Sequence, residues 1–290
     1  MTQPRSVADV RNTLGEGPVW DVREQALYWV DIKGHRLQRL EPQSGAVRTW
    51  RLPEPVGCAA LRETGGAIVA LQSGFAFLDL ATETLEWIAR PEPDRPGNRM
   101  NDGKCDRQGR FWAGTMDDAE RTRSGALYRV DPDLGVHRLE SDIGIPNALA
   151  WSPDSRTLYF ADTAERTIYA YDHDPDSGAI ANRRVFAPSP TQAGNPDGAT
   201  VDAEGALWCA QWDGWRVLRY APDGRVDRAL ELPVQRPTSC AFGGPELKTL
   251  FVTTASIGLD PGALAEQPLA GSLLAVELDV AGLPERRFAG

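Results

Sequence analysis

The chain has 290 residues, of which 41% are hydrophobic and 25% are charged, a composition ordinary for a soluble globular protein. Its net charge of −10 argues against binding to nucleic acid or to an anionic membrane, because both favour basic surfaces. The four cysteines are widely spaced, which excludes zinc and redox motifs of the CxxC type. The N-terminus lacks an apolar signal core and no stretch reaches transmembrane length, so we predict reduced cysteines and a cytoplasmic location.

A polar turn followed by a short apolar run recurs six times along the chain. The six stretches are DVREQALYWVDI, RETGGAIVALQS, DRQGRFWAGTM, SPDSRTLYFADT, DAEGALWCAQW and GGPELKTLFVTT. Further short runs follow each of them, separated by the turn residues that β-hairpins require. Roughly four strands repeated every 40–50 residues are typical of a propeller blade. We therefore predict an all-β fold, a six-bladed β-propeller with four-stranded blades around a central channel, as a single domain over residues 1–290.

The ends of the chain and the aromatic residues can be placed in this scheme. A strand from residues 1–15 is expected to pair with C-terminal strands and close the ring, because closure removes an exposed sheet edge. Most of the nine tryptophans fall at strand positions and are expected in the core. The histidines His35, His137 and His173 fall in outer strands or turns, where we expect them to be solvated.

The six repeats share one phase. Four residues before the anchor of each predicted inner strand stand Glu16, Gly57, Asn101, Asn147, Asp197 and Thr238, at intervals of 41 to 50 residues. Inner strands line the channel of a propeller, so these positions are predicted to crowd one mouth of it. Each motif alone is a common turn sequence, but the shared phase brings two carboxylates and two carboxamides together.

Such a cluster indicates a site for a divalent cation. Close, buried carboxylates repel each other, and a bound cation removes that cost. Oxygen ligands suit Ca²⁺, Mg²⁺ or Mn²⁺, and a mixed carboxylate–amide set can also hold Zn²⁺ or Fe²⁺. Motifs for other chemistries, namely GxSxG, HExxH, the P-loop and a full GxGxxG, are absent from the sequence.

Three neighbouring features have two interpretations each. Arg99 stands two residues before Asn101 and either reaches the same mouth or is a solvated loop arginine. Residues 117–124 form either a lid over the site or an ordinary charged hairpin loop. Trp212 and Trp215 follow an inner strand, and packing in the core or at a blade edge is favoured over lining a pocket.

The chain resembles the senescence-marker-protein/gluconolactonase family, also called the regucalcin-like family. The similar stretches span residues 14–255 and are LGEGPVW, NRMNDGKCDRQGRFWAGTM, GALYRVDP, IPNALAWSPDSRTLYFADT, NPDGATVDAEGALW and TSCAFGGPELKTLFVTTA. The resemblance implies a six-bladed propeller with one divalent metal on its axis, held by Glu16, Asn147 and Asp197. It further implies that Arg99 and Asn101 contact the substrate, and that this substrate is an aldonolactone such as gluconolactone, arabinolactone or xylonolactone.

The sequence departs from the family pattern at two places. Some relatives carry a substrate-contacting Glu three residues after the GTM motif, where this chain has Ala119 between Asp118 and Glu120. A shift of one residue in the loop would restore the contact, and we expect Asp118 to bind the substrate. Relatives often have Gly after the metal-binding Asn, where this chain has Ala148, a change not expected to alter the metal site.

The implied reaction is hydrolysis of the lactone, with the ion polarising the carbonyl and a neighbouring water. The resemblance implies Asp197 as the base that takes a proton from the attacking water. Because a carboxylate bound to a cation is a weakened base, direct attack by a water that the ion itself activates stays open. Three other functions also stay open: an esterase or organophosphate hydrolase on the same metal, a non-enzymatic calcium-binding regulator, and a scaffold for protein partners.

Overall fold

The computed structural model of the protein describes residues 3–188 and 194–290, and regular structure within them is almost entirely β-strand. In chain order the strands are β1 (Arg5–Ala8), β2 (Gly15–Asp21), β3 (Ala26–Asp31), β4 (Arg36–Glu41), β5 (Ala46–Arg51), β6 (Val56–Leu61), β7 (Ala67–Leu71), β8 (Gly74–Leu78), β9 (Leu85–Ala89), β10 (Asn98–Cys105), β11 (Phe111–Asp117), β12 (Gly125–Val130), β13 (Val136–Ile143), β14 (Pro146–Trp151), β15 (Thr157–Asp162), β16 (Thr167–His173), β17 (Ile180–Pro188), β18 (Asn195–Val201), β19 (Leu207–Trp212), β20 (Arg216–Tyr220), β21 (Val226–Glu231), β22 (Pro237–Gly243), β23 (Thr249–Thr254) and β24 (Leu273–Glu277). A one-turn 3-10 helix covers Thr163–Glu165, and a short helix, α1, covers Pro261–Glu266. In this described part of the chain, no helix is long and apolar enough to span a membrane.

The strands form six antiparallel, four-stranded blades. Blades one to five are simple meanders, in which consecutive strands pair from the inside outwards: β2–β5, β6–β9, β10–β13, β14–β17 and β18–β21. The inner strands β2, β6, β10, β14, β18 and β22 contact one another in sequence, and β22 contacts β2 again. The predicted six-bladed propeller is therefore confirmed.

The sixth blade is built from both ends of the chain. Its order is β22, β23, β24 and then β1, so the N-terminal strand is the outermost one. Strand β1 pairs with β24 in antiparallel register, with Arg5 opposite Ala275. The prediction that a strand from residues 1–15 closes the ring is confirmed, and the edge of β24 is covered as a result.

Aspartates at the ends of the inner strands shape the turns that follow. Asp21 accepts hydrogen bonds from two backbone N–H groups of its own turn. Asp106 and Asp202 do the same and also accept from the indole N–H of Trp112 and Trp208, at 3.1 and 2.8 Å. The turn chemistry visible in the sequence thus shapes these three hairpins, and in blades three and five it also anchors a buried tryptophan of the next strand.

Apolar side chains pack between neighbouring blades rather than in one central core. Each of the six apolar clusters combines residues of two adjacent blades, so the ring is held at all six junctions. Trp29, Trp50, Trp112 and Trp208 are fully buried in these clusters, as expected for most of the tryptophans.

The prediction that His173 is solvated is wrong. His173 ends β16 and is only 4% exposed, with its ring 5.8 Å from that of Trp112 and 6.1 Å from that of Trp151. Its Nδ1 lies 2.6 Å from the carbonyl oxygen of Ser155. A third strand also presents one face to the neighbouring blade, so a place away from the channel does not mean contact with solvent. Burial lowers the pKa of His173.

The C-terminal segment, residues 279–290, crosses the C-terminal ends of the inner strands. Gly282 bridges to blade five and Phe288 to blade two. Lys104 of β10 points across the channel at this level, where its Nζ donates to a backbone carbonyl of blade five at 2.9 Å and to Glu285 Oε1 at 3.1 Å. The segment and the lysine together cross this end of the channel.

Candidate metal centre and active site

All six inner strands carry a β-bulge close to where they begin. The pairing register shifts between Glu16 and Val19, Val56 and Cys58, Met100 and Gly103, Asn147 and Ala150, Pro196 and Ala199, and Pro237 and Ser239. A bulge breaks the alternation of side chains along a strand and redirects the residues within it. The six positions that share one phase in the sequence therefore mark a ring of bulges, one in each blade.

Two of the six positions hold the ring together without supplying polar side chains to the channel. A Cβ added at Gly57 would lie 2.5 Å from backbone atoms of Met100 and Asn101, so glycine is what allows β6 to approach β10. Thr238 Oγ1 donates to the carbonyl oxygen of Gly15 at 2.5 Å and so joins blade six to blade one. Chemistry in the channel falls to the other four positions.

A cavity of about 520 Å³ opens at this mouth of the channel. The four remaining positions and Arg99 line it, and all five side chains are buried: Glu16, Arg99, Asn101, Asn147 and Asp197. The interpretation of Arg99 as a solvated loop residue is thereby excluded. Trp212 lines the cavity and also packs against apolar residues, so both of its interpretations apply.

Glu16 and Asp197 are both buried and lie close enough that each carboxyl group affects the pKa of the other. Burial, followed by the negative charge of Asp102, raises the pKa of Glu16 to about 8. Burial, followed by the charge of Glu16, raises the pKa of Asp197 well above its ordinary value. Without a cation, the pair therefore retains a proton at neutral pH.

This donor set fits a divalent cation. Two carboxylates would neutralise the ion, and the amide oxygen of Asn147 adds a third hard ligand. Within residues 3–188 and 194–290, no three His, Cys, Asp or Glu side chains are placed to hold a metal by themselves, so the amide is needed. The raised pKa values of Glu16 and Asp197 mark two acids whose charged forms lack a compensating cation.

A chain of polar contacts runs from the outer rim to this centre. Lys33 Nζ donates to Asp118 at 2.6 Å, and Arg99 Nε donates to the same carboxylate at 2.5 Å. Arg99 Nη1 donates to Asn101 Oδ1 at 2.7 Å. Asn101 Nδ2 in turn donates to Asn147 Oδ1 at 3.0 Å. Substrate-binding and metal-binding candidates from blades three and four thus form one connected array.

Asp118 does not line the cavity itself but contacts Arg99, which does. Burial acts to raise its pKa, but hydrogen bonds from Lys33 and Arg99 hold the pKa of Asp118 below its ordinary value. That Asp118 binds the substrate stays a prediction. In the structure, the Asp118 carboxylate instead orients Arg99 through a hydrogen bond. Lys33 sits in a turn of blade one, and no motif in the sequence pointed to it.

Thr163 extends the array into blade five. Its Oγ1 accepts from Asn147 Nδ2 at 2.7 Å and donates to the carbonyl oxygen of Pro196, just before Asp197, at 2.6 Å. This contact fixes which side of the Asn147 amide presents oxygen. Sequence reasoning missed Thr163, because it follows the second strand of its blade and lies outside the shared register.

The chain is similar to known proteins over nearly its whole length. Residues 14–256 match the family model described as the SMP-30/Gluconolactonase/LRE-like region. A 6-deoxy-6-sulfogluconolactonase of Pseudomonas putida is 43% identical over 281 residues, covering 96% of each chain. An L-arabinolactonase of Azospirillum brasilense is 40% identical over 292 residues, covering 99% of this chain and 96% of that one.

The chain belongs to the SMP-30/gluconolactonase/LRE-like family. A solved structure described as a calcium-binding protein, regucalcin, from Agrobacterium tumefaciens superposes with a TM-score of 0.95 at 32% identity, covering 99% of both chains. The resemblance seen in the sequence is thereby confirmed, and the fold is shared across the whole length.

The loop after β11 forms part of the wall of the cavity. Asp117 accepts hydrogen bonds from three backbone N–H groups of the loop and shapes it. Glu120 then takes a left-handed conformation, with φ of 55°, and lines the cavity together with the three residues that follow. Arg123 fastens the loop to blade four through Asp162 and Glu165, at 3.1 and 2.8 Å. Glu120, rather than Asp118, is therefore the loop carboxylate at the cavity.

Proposed function

We propose that the protein hydrolyses a sugar lactone to the aldonic acid, using one divalent ion held by Glu16, Asn147 and Asp197. The observation that carries the proposal is the pair of buried carboxyl groups that line the cavity together with the Asn147 amide. The substrate class is supported by the two relatives whose names are those of sugar lactonases.

When bound, the ion would supply a Lewis acid for the lactone carbonyl and lower the pKa of a nearby water. Asp197, as a carboxylate, takes a proton from the water that attacks the carbonyl carbon. When the bond between that carbon and the ring oxygen breaks, the same proton is available to the departing oxygen. The products are one free hydroxyl and one carboxylic acid, so the water is fully accounted for.

Arg99 and Asn101 position the sugar. Arg99 directs Nε and Nη1 to protein partners, whereas its Nη2 has none among the described residues. Because Arg99 is buried and lines the cavity, Nη2 can donate to a sugar hydroxyl or to the developing oxyanion. The fixed Asp118 contact keeps the guanidinium plane in place for this role.

The rim of the cavity favours lactones that carry an anionic substituent. Arg121, Arg123 and Arg166 line it. In the described part of the chain, Arg121 has no carboxylate partner, whereas Arg123 is paired with Asp162 and Glu165. The sulfonated substrate named for the Pseudomonas relative is of this chemical class.

The test is a substrate panel run on protein stripped of metal and then loaded with Ca²⁺, Mg²⁺, Mn²⁺, Zn²⁺ or Fe²⁺ separately. We expect no lactone turnover without an ion, and turnover of aldonolactones that exceeds turnover of aryl esters and phosphotriesters. If aryl esters or phosphotriesters are turned over faster than lactones, the protein is instead an esterase or organophosphate hydrolase on the same metal. Tight Ca²⁺ binding without turnover of any substrate would favour a regulator, and metal-independent lactone turnover would contradict the proposed metal role.

A further inference from the structure

Asp102 is a buried carboxylate that the sequence reasoning passed over, although it stands next to Asn101 on β10. Its side chain is 6% exposed. One oxygen accepts from the backbone N–H of Gly103 at 2.9 Å, and the other accepts from the backbone N–H of Leu149 at 3.1 Å. The second bond crosses from blade three to blade four.

Leu149 lies within the bulge of β14 that presents Asn147. Paired residues resume at Ala150, and Ala148 between them has φ of 56°. A left-handed conformation is disfavoured for any residue that carries a Cβ, so the bulge needs outside support. The Asp102 carboxylate supplies it by binding the N–H that immediately follows Ala148.

The residue before Asp102 holds the other side of the same bulge. Asn101 Nδ2 donates to the carbonyl oxygen of Pro146 at 2.9 Å and to Asn147 Oδ1 at 3.0 Å. Two consecutive residues of β10 therefore support Asn147: Asn101 binds the carbonyl group before it, and Asp102 binds an N–H group after it. In the described structure, the bond from Leu149 is the only hydrogen bond that joins blade three to the bulge after Asn147.

The charge of Asp102 also reaches the metal centre. It is the second cause, after burial, of the raised pKa of Glu16, and the third cause of the raised pKa of Asp197. Burial raises the pKa of Asp102 itself, while the nearby Lys104 ammonium acts in the opposite direction. The charge of Asp102 in blade three therefore acts on the carboxyl groups of blades one and five.

We propose that Asp102 is a positioning residue for the metal centre, which fastens the left-handed bulge at Ala148 and so aims Asn147 into the channel. The proposal rests on the proposed function for the identity of the centre, but the bond from Leu149 to Asp102 stands on geometry alone. Its consequence is that the geometry of blade four is set by blade three.

The experiment compares Asp102→Ala, Asp102→Asn, Ala148→Gly and the double variant Asp102→Ala with Ala148→Gly. Calorimetric titration of metal-free protein with Mn²⁺ and with Ca²⁺ gives the affinity of each. Asp102→Ala should weaken binding by about 10- to 100-fold, as is usual when a group that orients a ligand is lost. Asp102→Asn keeps an oxygen for Leu149 and should lose less.

The decisive comparison is the rescue. Glycine adopts the left-handed conformation without support. The double variant should therefore bind the ion several-fold more tightly than Asp102→Ala alone. Loss of charge alone would instead give equal effects for Asp102→Ala and Asp102→Asn and no rescue, which would overturn the positioning role. Unchanged affinity in Asp102→Ala would overturn it as well.

A second measurement separates this proposal from the proposed function. Hydrogen exchange at the Leu149 amide of the metal-free protein should be slow in the parent and in Asp102→Asn, and faster in Asp102→Ala. If the parent binds no divalent ion, the metal role fails, while the exchange result still decides whether Asp102 anchors the bulge. Equal exchange in all variants would show that it does not.

Discussion

Replacing Glu16 by glutamine should stabilise the protein when no divalent ion is present. The variant keeps the shape of the side chain and an oxygen for the Gly17 N–H, which Glu16 accepts at 2.9 Å. It removes a buried carboxyl group whose charged form is disfavoured by burial and by Asp102. Removal of one negative charge also lets Asp197 ionise more readily.

The size of the effect follows from proton linkage. The pKa of Glu16 rises from 4.5 to about 8 on folding, so the folded state binds this proton more tightly than the unfolded chain. The stability that depends on this proton is therefore lost as pH rises from 4.5 to about 8, and the contribution of Glu16 changes no further above it. At about 1.36 kcal/mol per pKa unit, the loss reaches about 3 kcal/mol at pH 7 and at most about 5 kcal/mol above pH 8.

The assay is urea unfolding with chelator present, at pH values from 5 to 9, for the parent and for Glu16→Gln. The variant should be more stable than the parent at pH 8 and should show a weaker pH dependence. The control is Glu266→Gln, which changes an exposed carboxylate at the end of α1 and should track the parent.

Adding a divalent ion should narrow the difference in stability between Glu16→Gln and the parent. An ion at 100 times its Kd stabilises the folded state by about 2.7 kcal/mol, and the parent should bind it more tightly than Glu16→Gln. The reasoning would be refuted if the variant were less stable than the parent in chelator at pH 8. It would be refuted equally if the parent showed no loss of stability between pH 5 and pH 8.

Four further outcomes are expected. With metal saturating, Glu16→Gln should recover lactone turnover while Asp197→Asn stays about 10²- to 10⁴-fold slower, the usual contribution of a general base; similar recovery of both would make Asp197 only a ligand. Arg99→Ala should raise KM without changing calorimetric metal affinity, and loss of metal with unchanged kinetics at saturating ion would contradict its substrate role. Asp118→Asn should raise KM in the same direction but less, because Arg99 loses its charged partner; an unchanged KM would show that Arg99 needs no such support. All four cysteines are reduced and buried, so thiol titration should detect them only after unfolding, and fewer than four would contradict this.

The sequence predicted the blades and which residues meet at the mouth of the channel, because both depend on a repeated local pattern. The phase shared by Glu16, Asn101, Asn147 and Asp197 survives folding, since each residue lies at the edge of, or within, the bulge of its own inner strand. The bulges themselves were not predicted. Strict alternation along β10 would turn Asp102 away from the face that holds Asn101, and only the register shift explains why both side chains serve the same site.

Other parts of the site depend on contacts between distant segments. Lys33 and Asp118 meet across blades one and three, and neither loop has a pattern that fixes its path. The sequence also could not predict which loop carboxylate lines the cavity, because the left-handed turn at Glu120 depends on how Asp117 binds the loop backbone. His173 was misplaced for a related reason, since its burial depends on the neighbouring blade.

The closure of the ring by both chain ends bears on how the protein matures during synthesis. In ring order, blade six stands between blade five, which carries Asp197, and blade one, which carries Glu16. Strand β1 is made before the other strands of the ring and pairs with β24, the last of them. A nascent chain therefore cannot close the ring between Asp197 and Glu16 until β24 has been made, and loading of the ion becomes a step that follows closure. An ion that binds only this closed form in turn favours closure.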